Sequence, residues 1–180
     1  MNQIRDILDE TNVEANYLKL EITESAVMDN AEMAARLLKR LKALGVQLSI
    51  DDFGTGYSSL GYLHRFPVNT LKIDQSFVGR IGEAAENIEI VRAIVSLAEN
   101  MGMDVVAEGV ETLSQLTQLR KLNCQYGQGY LFSRPVDAES ILPLLSKKPH
   151  WQADLFPALM NEHYVPAKPV IGLQLLEASA

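Results

Sequence analysis

Cysteine is almost missing from this chain: Cys124 stands alone among 180 residues. Without a second cysteine there is no intrachain disulfide, and a reducing cytoplasm is the natural setting. Lying just past a helical stretch, Cys124 reads as a small core residue rather than a nucleophile. Long apolar runs are missing too. None reaches the ~18 residues that a membrane-spanning helix needs, and the first residues carry no basic-then-apolar export pattern. Nor is there a basic excess: 16 Lys and Arg stand against 23 Asp and Glu, for a net charge of −7. That balance speaks against a nucleic-acid polymer as partner. It leaves a phosphate substrate open, because bound cations invert the field inside a site. Histidine is scarce, and His64, His150 and His163 have no ligand spacing, which argues against imidazole-bound zinc. There is no repeat at a fixed period and no low-complexity tract.

What is present reads as a soluble globular domain, 47% apolar and 22% charged, long enough to bury one sizeable core. Short strands are expected at 17–22, 46–51, 70–74 and 104–107, with a fifth near 126–131. Helices fill the spaces between them. One is capped near Asp29 or Asn30, carries Met33, Leu37, Leu38, Leu41 and Leu44 on one face, and ends at Gly45. A long one carries Ile88, Val91, Ile94, Val95, Ala98 and Met101. A third starts at Thr112 or Ser114 and presents Leu113, Leu116, Leu119 and Leu122. A last helix is expected near 137–146. Strict strand–helix alternation implies a parallel α/β sheet with right-handed crossovers. After about residue 148 the pattern changes: Pro149, Pro157, Pro166 and Pro169 follow no period, so 149–180 reads as a tail or appendage to a domain at 1–148.

The charged residues gather at strand ends. Glu21 and Glu24 close the first strand, Asp51 and Asp52 the second, and Lys72 and Asp74 the third. Glu108 and Glu111 close the fourth, and Gln128 lies at the fifth. In parallel α/β folds the C-terminal strand ends share one face, where the chemistry sits. Each residue also has a plainer reading. Glu24 and Glu111 can serve helix N-termini, Asp74 can cap the next helix, and Lys72 can be a surface lysine. Asp51 and Asp52 resist such a reading, because adjacent like charges at a strand end repel unless a cation joins them. An all-oxygen ligand set points to Mg2+ or Mn2+. Asp52-Phe53-Gly54 copies the kinase magnesium triplet, but no phosphate loop or catalytic loop accompanies it. Gly54-x-Gly56-x-x-Ser59 lacks the third glycine of a dinucleotide fingerprint.

Five segments in order resemble the EAL domain family: Leu20-Glu21-Ile22-Thr23-Glu24, Asp51-Asp52-Phe53-Gly54-Thr55-Gly56-Tyr57-Ser58-Ser59, Leu71-Lys72-Ile73-Asp74, Ala107-Glu108-Gly109-Val110-Glu111-Thr112 and Gln128-Gly129-Tyr130-Leu131-Phe132-Ser133-Arg134-Pro135. The resemblance covers about residues 1–146. It implies part of a modified TIM-like (β/α) barrel, with about five mostly parallel strands. The implied activity is hydrolysis of cyclic di-GMP to linear pGpG with two divalent cations, Mg2+ or Mn2+, within a bacterial signalling protein. By the same resemblance Glu21 is a ligand of the first metal, Asp51 bridges both and Asp52 binds the second. Lys72 and Glu108 are the catalytic pair: Lys72 holds or polarises the attacking water, and Glu108 orients it or acts as base. Gln128 supports the site near the substrate, and Glu24 holds the loop 52–59. A homodimer is a further expectation of the resemblance.

The chain departs from the family at one point. The Glu-Ala-Leu motif, its following arginine and an upstream metal-binding asparagine are not in this sequence, which opens at a helix. The expectation is therefore the C-terminal portion of the domain, fused in a longer protein to further upstream segments. Alone it is expected to be weakly active or inactive. The alternative is a non-catalytic module that binds cyclic di-GMP or a protein.

Overall fold

The computed structural model describes residues 2–56, 60–82 and 85–146. The expected tail at 149–180 lies outside the described residues, as do Tyr57, Ser58 and Ser59 of the Asp-Asp-Phe-Gly segment. Helix α1 spans Asn2–Thr11 and packs Ile4 and Leu8 onto the core. A single 3-10 turn at Ala15–Tyr17 leads into strand β1, Lys19–Thr23. Then come α2 (Glu24–Met28), α3 (Ala31–Lys42), β2 (Gln47–Phe53) and the short α4 (Leu60–Leu63). Strand β3 (Thr70–Ile73) is followed by α5 (Gln75–Val78) and the long α6 (Ala85–Asn100). The described chain closes with β4 (Asp104–Ala107), α7 (Leu113–Lys121), β5 (Tyr126–Gly127) and α8 (Ala138–Ser146).

The five strands form one parallel sheet in the order β1-β2-β3-β4-β5. Strand order equal to chain order is what successive βα units produce, and the result is part of a TIM-like barrel wall. Side chains alternate between the faces. Register pairs Ile50 with Leu71, Leu71 with Val105 and Ile73 with Ala107, and all five of these residues are fully buried. Helices α3 and α6 pack against the sheet, α3 on β2 and α6 on β3 and β4. The other face carries Lys19, Glu21, Ser49, Asp51, Thr70 and Lys72. One face thus holds the apolar core and the opposite one holds the polar residues.

Caps explain where the helices start. Asn30 Oδ1 accepts from Met33 N at 3.0 Å, choosing Asn30 over Asp29. Thr112, not Ser114, caps α7. Two expectations need correction. Met33 and Leu37 lie outside the buried stripe of α3, at 59% and 46% exposure. The stripe runs instead through Ala31, Ala34, Ala35, Leu38 and Leu41. Strand β5 is two residues long and does not reach 131. Its partner β4 ends at Ala107, so no ladder continues beyond it. The chain wraps around Val110 instead, with Val110 N donating to Gln128 O at 3.0 Å and Leu131 N to Val110 O at 3.0 Å. Among the described residues no helix is long and apolar enough to cross a membrane.

Candidate active site

Lys72 stands on β3, the middle strand, and only 3% of its side chain is exposed. Its ammonium donates to Glu108 Oε1 at 2.7 Å, Glu21 Oε2 at 2.8 Å and Asp51 Oδ1 at 2.9 Å. An ammonium has three donors, and here acids delivered by β1, β2 and the end of β4 take them. Burial by itself pushes the Lys72 pKa down. The hydrogen bonds that Lys72 donates to Glu108, Glu21 and Asp51 outweigh that, and the pKa lies well above the ordinary lysine value. Burial raises the Glu108 carboxyl; Lys72 pulls it back, while Asp51 and Glu21 add to the rise.

Asp51 and Asp52 are adjacent, so a regular strand would send them to opposite faces. The register shows how this is avoided. Ile50 pairs with Leu71 and Phe53 with Ile73, leaving two residues of β2 opposite Lys72 alone. That is a β-bulge, which re-aims side chains. Asp52 takes φ +54, a left-handed conformation that aspartate tolerates better than most residues. As a result carboxylate oxygens of Asp51, Asp52 and Glu108 lie within 4.8 Å of one another. Burial raises the Asp52 pKa, and Asp51 and a hydrogen bond with Asp74 raise it further. Such hard, convergent oxygens fit a divalent cation and do not suit a soft one.

Glu24 is fully buried in the first turn of α2. Its Oε2 accepts from Gly54 N at 2.8 Å and from Gly56 N at 3.4 Å. It therefore ties the turn after β2 to the end of β1. Gly54 has φ +100, and a Cβ there would meet the Phe77 ring at 2.9 Å, so only glycine fits that approach. Asp74 does cap α5, accepting from Ser76 N at 2.9 Å.

Of the residues singled out from sequence, Glu21, Asp51, Lys72 and Glu108 meet at one ammonium, and Asp52 joins through the acid cluster. Gln128 does not meet them. Its backbone joins β5 to Ala107 and Val110, but its exposed side chain makes none of the hydrogen bonds or ion pairs that build the cluster. Asp74, at the end of the third strand, serves both as the cap of α5 and as a neighbour of Asp52. Gln115 is the residue that the strand-end pattern misses, although Thr112-x-x-Gln115 is a capping-box pattern. The expected core residue Cys124 packs against the core, and burial raises its thiol to about 11.

Comparison with known proteins gives the family. The EAL domain family model matches residues 1–135. Over 136 residues the chain is 49% identical to the cyclic di-GMP phosphodiesterase NbdA of Pseudomonas aeruginosa, covering 76% of this chain but 17% of NbdA. The structure of the PaMucR phosphodiesterase in complex with c-di-GMP superimposes with a TM-score of 0.76 at 44% identity, covering 78% of this chain and 57% of that one. The manganese and cyclic di-GMP complex of Klebsiella pneumoniae BlrP1 superimposes with a TM-score of 0.70 at 36% identity, covering 74% and 34%. The chain thus spans less than two thirds of each of these relatives.

Proposed function

The chain belongs to the EAL domain family, and from that premise we propose that it supplies the Lys72-centred part of a site that hydrolyses cyclic di-GMP to linear pGpG. The observation that carries this reading is the contact of one buried ammonium with Glu21, Asp51 and Glu108. Glu21, Asp51 and Asp52 are the residues that would hold divalent cations, Mg2+ or Mn2+, with Glu108 close beside Asp51 and Asp52. When bound, such ions supply Lewis acidity and neutralise charge at the phosphodiester oxygens.

The chain's own residues account for the remaining steps. Lys72 keeps its charge at neutral pH, so it can offset negative charge growing on the phosphate and, through a donor released by one of its three carboxylates, orient a water. Glu108, its pKa raised by burial, can accept the proton of that water while water oxygen bonds to phosphorus and the P–O3′ bond breaks. The freed 3′ oxygen takes up a proton, and pGpG leaves. Glu24 keeps the turn after β2 in place. Gln128 is assigned to the substrate side of the rim. The reading places this function in residues 1–148, with 149–180 an appendage. It carries a cytoplasmic setting and a homodimer over from sequence and resemblance.

Because the Glu-Ala-Leu segment is not in this sequence, the test compares two proteins. One is the 180-residue chain; the other is the same chain fused behind the Glu-Ala-Leu-bearing segment of MucR. Mn2+-dependent conversion of cyclic di-GMP to pGpG, followed by chromatography, is expected for the fusion and abolished by Asp51→Asn. A folded fusion that binds cyclic di-GMP equally with and without metal, and never cleaves it, would favour the binding-module reading.

A further inference from the structure

The turn that carries Glu108 is joined at two points to the segment that follows Lys72. The first is Gly109, with φ +68, which lies so close to α5 that a Cβ would stand 2.6 Å from Gln75 Cβ. The second is Gln115, a polar side chain only 7% exposed. Its carbonyl oxygen accepts from the backbone N–H of Glu111 at 2.8 Å and of Thr112 at 2.9 Å. Its amide donates, over a longer 3.5 Å, to the carbonyl of Gly79 at the C-terminal end of α5. Thr112 Oγ1 accepts in turn from Gln115 N at 3.2 Å.

A capping box needs only the exchange between Thr112 and Gln115. The bond from Glu111 N lies upstream of the cap and does nothing for the helix. It fastens the turn itself, three residues beyond Glu108. Helix α5 starts from its cap Asp74, two residues beyond Lys72. The 2.7 Å contact between Lys72 and Glu108 therefore depends on how these two turns are seated against each other. Gln115 is the buried side chain that links both.

We propose that Gln115 is a positioning residue: through the Glu111 and Thr112 amides it seats the turn after β4 against α5, and so holds Glu108 on Lys72. Its consequence for catalysis rests on the phosphodiesterase reading above; the positioning itself does not.

The experiment uses the 180-residue chain and follows reductive methylation of Lys72 by peptide mass spectrometry, beside a thermal melt of each variant. Gln115→Met removes donor and acceptor at similar volume and is expected to speed Lys72 modification about tenfold, as a local opening does. Gln115→Glu keeps an acceptor for both N–H groups and is expected to restore protection to within about threefold of wild type. Thr112→Ala removes the cap alone; it is expected to lower the melting temperature while leaving Lys72 protected. If Gln115→Met does not fold, Gln115→Asn, one methylene too short to reach both amides, takes its place. Unchanged Lys72 protection in Gln115→Met, or equal exposure in Thr112→Ala, would overturn the proposal, as would a Glu variant no better than Met. Mn2+ titration by electron paramagnetic resonance adds a second readout, with Gln115→Met expected to weaken binding about tenfold. A wild-type chain that binds no Mn2+ but shows the expected labelling pattern would count against the phosphodiesterase reading and support the positioning role.

Discussion

Asp52 lies beside Asp51 opposite the single residue Lys72, because the ladder between β2 and β3 slips by one residue there. The bulge turns two neighbouring carboxylates, which a regular strand would separate, toward one cluster. Its backbone cost is borne by Asp52 at φ +54, and its electrostatic cost appears as the raised pKa of that same residue.

Asp52→Asn is therefore expected to stabilise the metal-free protein at neutral pH while weakening Mn2+ binding. A carboxyl whose folded pKa is raised costs stability wherever it is ionised. The gain from Asn is thus absent below the unfolded value of about 3.9, grows through the window up to the raised folded pKa, and is full above it. Because Asp52 is only partly buried, a rise of about 2 °C in melting temperature is the scale to look for. Melts at pH 3.5 and pH 7 without metal check it; a variant less stable than wild type at pH 7 would refute the assignment.

Lys72→Met is expected to do the opposite. It leaves Glu21, Asp51 and Glu108 facing one another without their shared cation, and removing one partner from a buried ion cluster costs about 3 kcal/mol or more. Added Mn2+ should return part of that loss, since it replaces positive charge at the same oxygens. Urea unfolding with and without Mn2+ measures both effects.

Removal of the Glu24 carboxylate should be felt at a distance. Glu24→Ala strips the acceptor from the half-buried Gly54 N and the exposed Gly56 N, and losing such partly solvated bonds costs about 1 kcal/mol. Hydrogen exchange is expected to quicken at Gly54, and Mn2+ affinity to fall, because Asp51 and Asp52 sit at the root of that turn. Unchanged exchange at Gly54 would show the turn to be held by other contacts.

Cys124 offers a check remote from the acids. With its thiol raised to about 11 by burial, the thiolate fraction at pH 8 is on the order of one in a thousand. Alkylation of the folded chain by iodoacetamide should be correspondingly slow at pH 8 and accelerate on urea unfolding. The sign for stability follows: the folded state keeps a proton that the unfolded state loses, so stability falls as pH rises above the ordinary thiol range toward 11.

In the fusion that carries the Glu-Ala-Leu segment, Glu108→Gln is expected to lower kcat by about 100-fold or more, the usual contribution of a positioned general base. An unchanged kcat would move the base elsewhere, with Asp52 and Asp74 the next acids to test.

Much of this was legible in the linear chain, and particular residues show why. The alternation Val46, Leu48, Ile50 marks β2, and the Asn30 and Thr112 caps mark helix starts, because these signals act over a few residues. The acids at strand ends were legible for the same reason. Where neighbours in space decide the outcome, local signals fall short. Met33 and Leu37 share a helical stripe with Leu41, yet the face that meets the sheet is set by where β2 lies. The fifth strand stops early because β4 ends and leaves it no partner. Gln115 sits in a recognisable pattern, but only its contact with the Glu111 amide gives it a part in the site.

The sequence by itself determined the order of strands and helices, the family, and which carboxylates reach the C-terminal rim, since periodicity, caps and motif spacing are local properties. Only the tertiary structure decided that Lys72 is the common partner of Glu21, Asp51 and Glu108, and that Asp51 and Asp52 converge. Those outcomes depend on lateral register between strands, with Lys72 and Glu21 lying 51 residues apart in the chain. A one-residue slip in that register changes which side chains meet without altering any local signal.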